Sequence, residues 1–338
     1  MLVVMERNAT PELIARVCEE IKNMGLKAHP MAGTKRTAIG VTGNDGQVDS
    51  DRILILKGVR DVVRITPPYK LVSREHKAED TIVRVGDATI GGREFAVMAG
   101  PCSVESRDQC MIIAERMAAS GVKIFRGGAF KPRTSPYSFQ GLGEKGLEIL
   151  AEVRQKFGLV IVTEAMDTET LDLVASYTDI IQIGARNMQN YSLLKKAGRS
   201  TKPVLLKRGI SATFEELLMA AEYVMAEGNE NVILCERGVR SASNHRHNVL
   251  DLSAVPFVKR YSHLPIIADP SHGTGSRDRV VPLSRAALAA GADGLLVEVH
   301  HEPSKALSDA AQAISPDEFE GLMKVMRRMA PVLDRTLP

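Results

Sequence analysis

At 338 residues the chain is longer than the commonest single domain and too short for three, so one large domain with a small one is expected. Hydrophobic residues are 44% and charged residues 25%, an ordinary globular balance, and no run approaches the roughly 18 apolar residues that a membrane span requires. A net charge of +3, no Trp and six Tyr argue against a general polyanion binder and against a nucleic-acid binder that stacks bases. The opening MLVVMERNATPEL lacks a basic segment before a long apolar core, so no secretory leader is expected. The four cysteines, Cys18, Cys102, Cys110 and Cys235, show no CxxC spacing. That pattern predicts a reduced, cytoplasmic protein rather than a disulfide scaffold or zinc finger, with Cys18 and Cys110 as small buried hydrophobes.

Residues 1–66 read as a self-contained α+β unit. LVVMER is a short strand, and Thr10-Pro11-Glu12 opens a helix with Thr as N-cap and Pro in the first turn. Leu13, Ile14, Val17, Cys18, Ile21 and Met24 recur at helical spacing, and Gly25 stops the helix. LKAHPMAG and TKRTAIGVTG form two strands around a Gly33 turn, a helix follows near Gln47–Leu56, and VRDVVRIT is a last strand. The order βαββαβ is ferredoxin-like. Pro67-Pro68 ends the unit, 67–80 is a polar linker, and TIVRVGDATIGG is a β-hairpin that opens the region 81–338.

From residue 95 short apolar runs alternate with helical stretches: FAVMAGPCS, VKIFRGGAF, LVIVTEA, DIIQIGA, PVLLKRG, VILCERG, PIIADPSH and GLLVEVHH. Eight continuous apolar strands separated by helices imply parallel strands buried on both faces, and about 240 residues is the size of a (β/α)8 TIM barrel. An open doubly wound sheet is the alternative, but no GxGxxG follows the first run.

Active sites of such barrels lie at the C-terminal strand ends. There the chain carries Cys102, Arg126, Glu164, Arg186, Lys207, Glu236 with Arg237, His272 and Glu298. Turn-forming Gly, Asn, Asp and Ser would be expected if these ends had no task. Arg126, Lys131, Arg133, Arg186, Lys207 and Arg237 form a cationic set that is costly to assemble without anions, so a small ligand with more than one anionic group is implied. Some of these cations could instead pair structurally with Glu164 or Glu236. Cys102, His272, Glu298 and Asp309 supply sulfur, nitrogen and oxygen donors, a set that suits Mn²⁺, Fe²⁺, Co²⁺ or Zn²⁺ better than Mg²⁺ or Ca²⁺. Barrel closure would make strands 1, 7 and 8 adjacent, with Asp309 in the loop after strand 8. His300 and His301 compete as ligands; alternation points His300 inward and His301 outward.

AGPCS, FRGGAFKPRTSPYSFQGLGEKGL, IQIGARN, LLKRG, CERG, DPSH and VEVH…KALSD together resemble the 3-deoxy-D-arabino-heptulosonate 7-phosphate (DAHP) synthases, in the subgroup related to 3-deoxy-D-manno-octulosonate 8-phosphate (KDO8P) synthase. The likeness runs in order through about 95–310. It implies a metal-dependent transferase of the shikimate pathway that condenses phosphoenolpyruvate with erythrose 4-phosphate and releases phosphate. It further implies Cys102, His272, Glu298 and Asp309 as metal ligands, and Arg126, Lys131, Arg186, Lys207 and Arg237 around phosphoenolpyruvate. Backbone at Gly184-Ala185 is implied against the phosphate, and Arg133 and Thr134 on the aldose phosphate. Catalytic roles fall to Lys131, Cys102 and His272, with Lys131 delivering protons; neighbouring arginines are expected to depress its pKa. KPRTS distinguishes the chain from KDO8P synthases, which resemble KANRSS there and use arabinose 5-phosphate. Some members of the subgroup carry a ferredoxin-like regulator, so tyrosine or phenylalanine is the expected effector of residues 1–66, against a passive oligomerisation module. A homo-oligomer, a tetramer rather than a dimer, is also implied, and a non-catalytic sensor with a dead barrel is disfavoured because no ligand or lysine is missing.

Overall fold

The computed structural model describes residues 1–43, 49–63, 68–132, 135–240 and 248–337. Contacts divide the chain into two compact units, Met1–Pro68 and Tyr69–Pro338. The first contains β1 (Leu2–Met5), α1 (Pro11–Asn23), β2 (Lys27–Ala32), β3 (Thr37–Thr42), α2 (Ser50–Leu54) and β4 (Val59–Val63). Its antiparallel sheet has the order β2-β3-β1-β4. Thr10 Oγ1 accepts the Leu13 N–H at 3.4 Å and Pro11 occupies the first turn, so α1 starts where its caps place it. Gly25 ends it in the left-handed region at φ 78°. Val17 and Ile21 of α1 pack with Val3, Met5, Ile39, Val41 and Ile53 on one face of the sheet. Asp49 caps α2 at 3.2 Å; the helix start expected at Gln47 and the end of the strand VRDVVRIT lie outside the described residues.

In the second unit β5 (Val83–Val85) and β6 (Ala88–Ile90) form the hairpin. The strands β7 (Ala96–Gly100), β8 (Ile124–Arg126), β9 (Val160–Ala165), β10 (Ile180–Ile183), β11 (Val204–Lys207), β12 (Val232–Glu236), β13 (Ile266–Ala268) and β14 (Gly294–Glu298) close a parallel barrel in chain order. All eight coincide with the apolar runs. Between them lie α3 (Arg107–Ala119), α4 (Glu144–Phe157), α5 (Leu171–Tyr177), α6 (Tyr191–Gly198), α7 (Phe214–Met225), α8 (Ala254–Tyr261), α9 (Pro270–Thr274) and α10 (Arg277–Ala289), with α11 (Pro316–Met329) last. Alternation along the strands builds two cores. Met98, Ile124, Val162, Leu205, Ile233, Ile267 and Leu296 fill the barrel, while Val97, Phe125, Ile161, Ile181 and Leu234 face the helices. The hairpin residues Val83, Ala88 and Ile90 pack with Val160 and Ile180 at the strand starts, closing the end opposite the expected site. Closure pairs Glu298 of β14 with Gly100 of β7. A Cβ on Gly100 would lie 2.1 Å from the Arg126 carbonyl oxygen, so only glycine allows β7 and β8 to approach there.

Residues 69–80, polar in sequence, are bound to the barrel. Glu222 on α7 accepts the N–H groups of Lys70 and Leu71 through Oε1 at 3.0 and 2.9 Å, and that of Val72 through Oε2 at 3.0 Å. His263 donates from Nε2 to the Leu71 carbonyl at 2.7 Å and accepts from Thr81 Oγ1 at Nδ1, 2.8 Å away. Burial holds His263 below the ordinary histidine value, helped by the positive charges of Lys77, His76 and Arg74 and opposed by the Leu71 bond. A depressed folded value means the neutral ring stabilises the docked segment above the unfolded pKa of about 6.5, and that this contribution is lost as pH falls. Limited trypsin cleavage at Lys70, Arg74 and Lys77 should therefore accelerate between about pH 7.5 and 5.5 relative to other sites. A constant ratio would remove His263 as the clasp.

Candidate active site at the C-terminal end of the barrel

Four donor residues meet where β14 closes on β7. Cys102 lies two residues beyond β7, His272 in α9 directly after β13, Glu298 at the end of β14 and Asp309 in the following loop. Donor atoms of Cys102, Glu298 and Asp309 all lie within 4.8 Å of one another. Cys102 Sγ is 3.1 Å from Asp309 Oδ2 and 2.9 Å from Ser308 Oγ. His272 Nε2 faces Glu298 Oε1 at 3.3 Å and Asp309 Oδ2 at 3.9 Å.

The orientation of His272 has a visible cause. Asp269 caps α9 by accepting the His272 N–H at 3.0 Å, and its Oδ2 also meets His272 Nδ1 at 2.8 Å. With Nδ1–H given to Asp269, the Nε2 lone pair points at two carboxylates. Acceptor facing acceptor is unfavourable unless a proton or a cation sits between them, and a carboxylate behind the imidazole is the usual second partner of a metal-bound histidine. The donors thus fit a divalent transition metal. Burial, with Glu298 and Asp309, pushes the Cys102 thiol up to about 12 against Lys131 and Arg126, so a cation must displace its proton to bind sulfur. Glu298 goes the other way, to about 2: burial opposes its ionisation, but His272, Arg126 and Lys131 outweigh it. Asp309 holds a left-handed φ of 52°, one of two non-glycine residues there among the described residues.

Beside these donors opens a cavity of about 570 Å³ lined by Lys131, Arg186, Lys207 and Arg237, with Glu164, Gly184, Ala185, His272 and Asp309 also on its wall. Lys207 reaches Asp269 at 2.6 Å. Lys131 donates to the Cys102 carbonyl and Sγ, both at 3.1 Å. Its pKa is raised, contrary to the sequence expectation: burial and Arg126 push it down, but the Cys102 sulfur, Glu298 and Glu164 prevail. Arg126 is buried and is not among the residues lining the cavity; it bonds Glu298 at 3.0 Å and the Pro101 carbonyl at 2.8 Å, and its buried Nε has no partner among the described residues. Arg186 is exposed at the rim. Neither Arg186 nor Arg237 has an ion pair among the described residues, and none of the set pairs with Glu164 or Glu236 there. At Gly184 a Cβ would fall 2.1 Å from Glu164 Oε1, so any larger residue there would have to displace that carboxylate. Arg133 and Thr134 lie outside the described residues.

Several neighbours escaped the sequence reading. Arg208 takes Glu236, at 2.8 Å, and stacks over Phe214; strand alternation places it outside the barrel, opposite Lys207. Burial raises Glu236 despite Arg208. Gln312 donates to Glu298 Oε2 at 2.6 Å from an irregular loop that no periodicity marks. Asp269 had a signal, a carboxylate three residues before His272 in ADPSH. His300 is buried, its Nε2 3.4 Å from Glu105 Oε2, and His301 stacks on it at 4.7 Å; neither joins the donor cluster.

Comparison with known proteins agrees with this geometry. The DAHP synthetase I family matches residues 74–335, and the DAHP synthase ferredoxin-like domain matches residues 1–67. A phospho-2-dehydro-3-deoxyheptonate aldolase of Thermotoga maritima is 52% identical over 333 residues, 98% of each chain, so the likeness includes both units. A 2-dehydro-3-deoxyphosphooctonate aldolase of Syntrophotalea carbinolica is 35% identical over 266 residues, covering 95% of its own length but 73% of this chain. The crystal structure of the Thermotoga maritima phospho-2-dehydro-3-deoxyheptonate aldolase (DAHP synthase) superposes with a TM-score of 0.97 at 51% identity, covering 100% of this chain and 99% of that one.

Replacing Asp269 with Asn should release the His272 ring and the Lys207 ammonium together. The expected loss in Mn²⁺ affinity, read by titration calorimetry, is about 10–100-fold. Unchanged affinity would show that Asp269 does not orient a ligand.

Proposed function

The chain belongs to the DAHP synthase family, whose members are transferases, and on that premise we propose that it condenses phosphoenolpyruvate with D-erythrose 4-phosphate and water, releasing phosphate. The observation that carries the reading is the adjacency of a mixed sulfur, nitrogen and oxygen donor set to a cavity walled by Lys131, Arg186, Lys207 and Arg237. Cys102, His272, Glu298 and Asp309 would hold Mn²⁺, Fe²⁺, Co²⁺ or Zn²⁺, which when bound supplies Lewis acidity toward the aldehyde or a positioned water.

The remaining work falls to the chain itself. Arg186, Lys207 and Arg237 bind the carboxylate and phosphate of phosphoenolpyruvate, with the Gly184-Ala185 backbone against the phosphate. Arg133 and Thr134 bind the aldose phosphate. Held this way, C3 of the enol lies against the aldehyde carbon, and the orientation itself lowers the barrel-mouth barrier. Lys131 carries a proton on Nζ, which it can deliver as the new C–C bond converts the aldehyde to an alcohol. Water then adds at C2, and phosphate leaves by C–O cleavage while the cations stabilise its charge. We also assign residues 1–66 to feedback inhibition by tyrosine or phenylalanine; the match to the family's ferredoxin-like domain supports this. A cytoplasmic homo-oligomer, a tetramer rather than a dimer, completes the proposal, and four unpaired cysteines accord with a reducing compartment.

Two assays test these assignments. A phosphate-release assay with phosphoenolpyruvate should proceed with erythrose 4-phosphate, fail with arabinose 5-phosphate, and stop with EDTA until Mn²⁺ is restored. A preference for arabinose 5-phosphate would make the chain a KDO8P synthase, the activity that the 35% identical relative's name denotes. Removing residues 1–70 should abolish inhibition by tyrosine or phenylalanine; equal insensitivity of both forms would leave the first unit without a regulatory role.

A further inference from the structure

The loop between Val299 and Gln312 carries Asp309 yet has little apolar packing to fix it. Ser304, Lys305 and Leu307 are exposed, Leu307 at 57%. An exposed Leu contributes almost nothing to placing its own backbone. What fixes it is a carboxylate from the opposite side of the barrel seam: Glu105 Oε1 accepts the Leu307 N–H at 2.9 Å. The same oxygen accepts Ser103 Oγ–H at 3.1 Å, and Oε2 faces the buried His300 Nε2 at 3.4 Å. His300 in turn accepts the Glu302 N–H at Nδ1, 3.0 Å away, so both ends of segment 302–307 lead to one carboxylate.

Glu105 is itself well anchored. Its side chain is only 11% exposed, and its N–H is held by Gln109 Oε1 at 3.0 Å, in the first turn of α3. Gln109 also binds the Ser103 carbonyl at 3.1 Å, fixing the short stretch from Cys102 to Glu105. One loop after β7 therefore carries a sulfur donor and, three residues on, the acceptor that fastens the loop bearing an oxygen donor. Two residues past Leu307, Asp309 sits in the left-handed region at φ 52°, a conformation uncommon for residues other than glycine.

We infer that Glu105 is a positioning residue for the metal site: through the Leu307 N–H it fixes the β14 loop so that Ser308 and Asp309 meet Cys102. The inference rests on the metal-site reading above. It requires that breaking this one hydrogen bond, from either side, loosens the metal without touching the phosphoenolpyruvate pocket.

The test uses full-length protein with Mn²⁺ alone as the calorimetric probe, followed by kinetics. Glu105→Ala should weaken Mn²⁺ binding about 10–100-fold, the range of other outer-shell partners. Leu307→Pro removes the N–H donor and leaves the Glu105 carboxylate in place, and Ala306 is already at ψ 130°, within the range of a residue before proline. It should reproduce the loss with Glu105 intact. Glu105→Gln keeps an acceptor for Leu307 and should bind Mn²⁺ nearly as the unaltered protein does. At saturating Mn²⁺ all three should retain the unaltered KM for phosphoenolpyruvate. Tight binding by Glu105→Ala and Leu307→Pro, in a series where Cys102→Ser has lost the metal, would overturn the inference alone. Undiminished binding by Cys102→Ser would overturn the metal site and the inference with it. A rise in KM for phosphoenolpyruvate at saturating Mn²⁺ would also overturn it, by showing a general disturbance of the mouth.

Discussion

Closure of the parallel sheet, β14 on β7, is the constraint from which the site follows. The ladder between Gly294–Glu298 and Ala96–Gly100 sets the first strand end beside the eighth, and β13 pairs with β14 on its other side. Cys102, His272, Glu298 and Asp309 are separated by up to 207 residues in sequence, and no local element could gather them. Closure depends in turn on tight backbone spacing at the rim, where Gly100 meets the Arg126 carbonyl. A parallel barrel has no free edge at this seam, so the rim is rigid on both sides. Rigid strand ends are what a preorganised site requires.

The charges at this rim are arranged in opposed layers. Acceptors from Cys102, Glu298, Asp309 and His272 face one another, while Arg126, Lys131 and Lys207 stand behind or beside them. Each buried cation is shared: Arg126 leans on Glu298, Lys207 on Asp269, and Lys131 on the Cys102 carbonyl and sulfur. Buried charges need such partners, since desolvation without them costs several kcal/mol each. Sharing also explains why Lys131 keeps its proton among arginines. Arg186 and Arg237, which line the cavity, have no ion pair among the described residues. One carboxylate, Asp269, couples the two halves by touching both His272 and Lys207.

Much of this was legible in sequence because period and position carry it. Eight apolar runs located the strands, and residues at their ends located the mouth. Thr10, Pro11 and Gly25 bounded α1 by capping chemistry alone. The charge state of Lys131 was not legible: neighbouring arginines could be counted, but whether Glu298 and Cys102 lie nearer depends on the closed barrel. Gln312 and Glu105 act from irregular loops, where no periodicity singles out a residue. The stretch 69–80 read as a linker because its polarity was visible, whereas Glu222 and His263, which bind it, lie about 150 and 190 residues further on. Polar groups in a loop look alike whether solvent or a distant carboxylate satisfies them.

The central claim is that the seam of the barrel holds a cation through sulfur as well as nitrogen and oxygen. X-ray absorption on Zn²⁺-loaded protein reads this directly. The account predicts one sulfur scatterer at about 2.3 Å together with nitrogen and oxygen near 2.0–2.2 Å. A shell of nitrogen and oxygen alone, without the sulfur of Cys102, would contradict it.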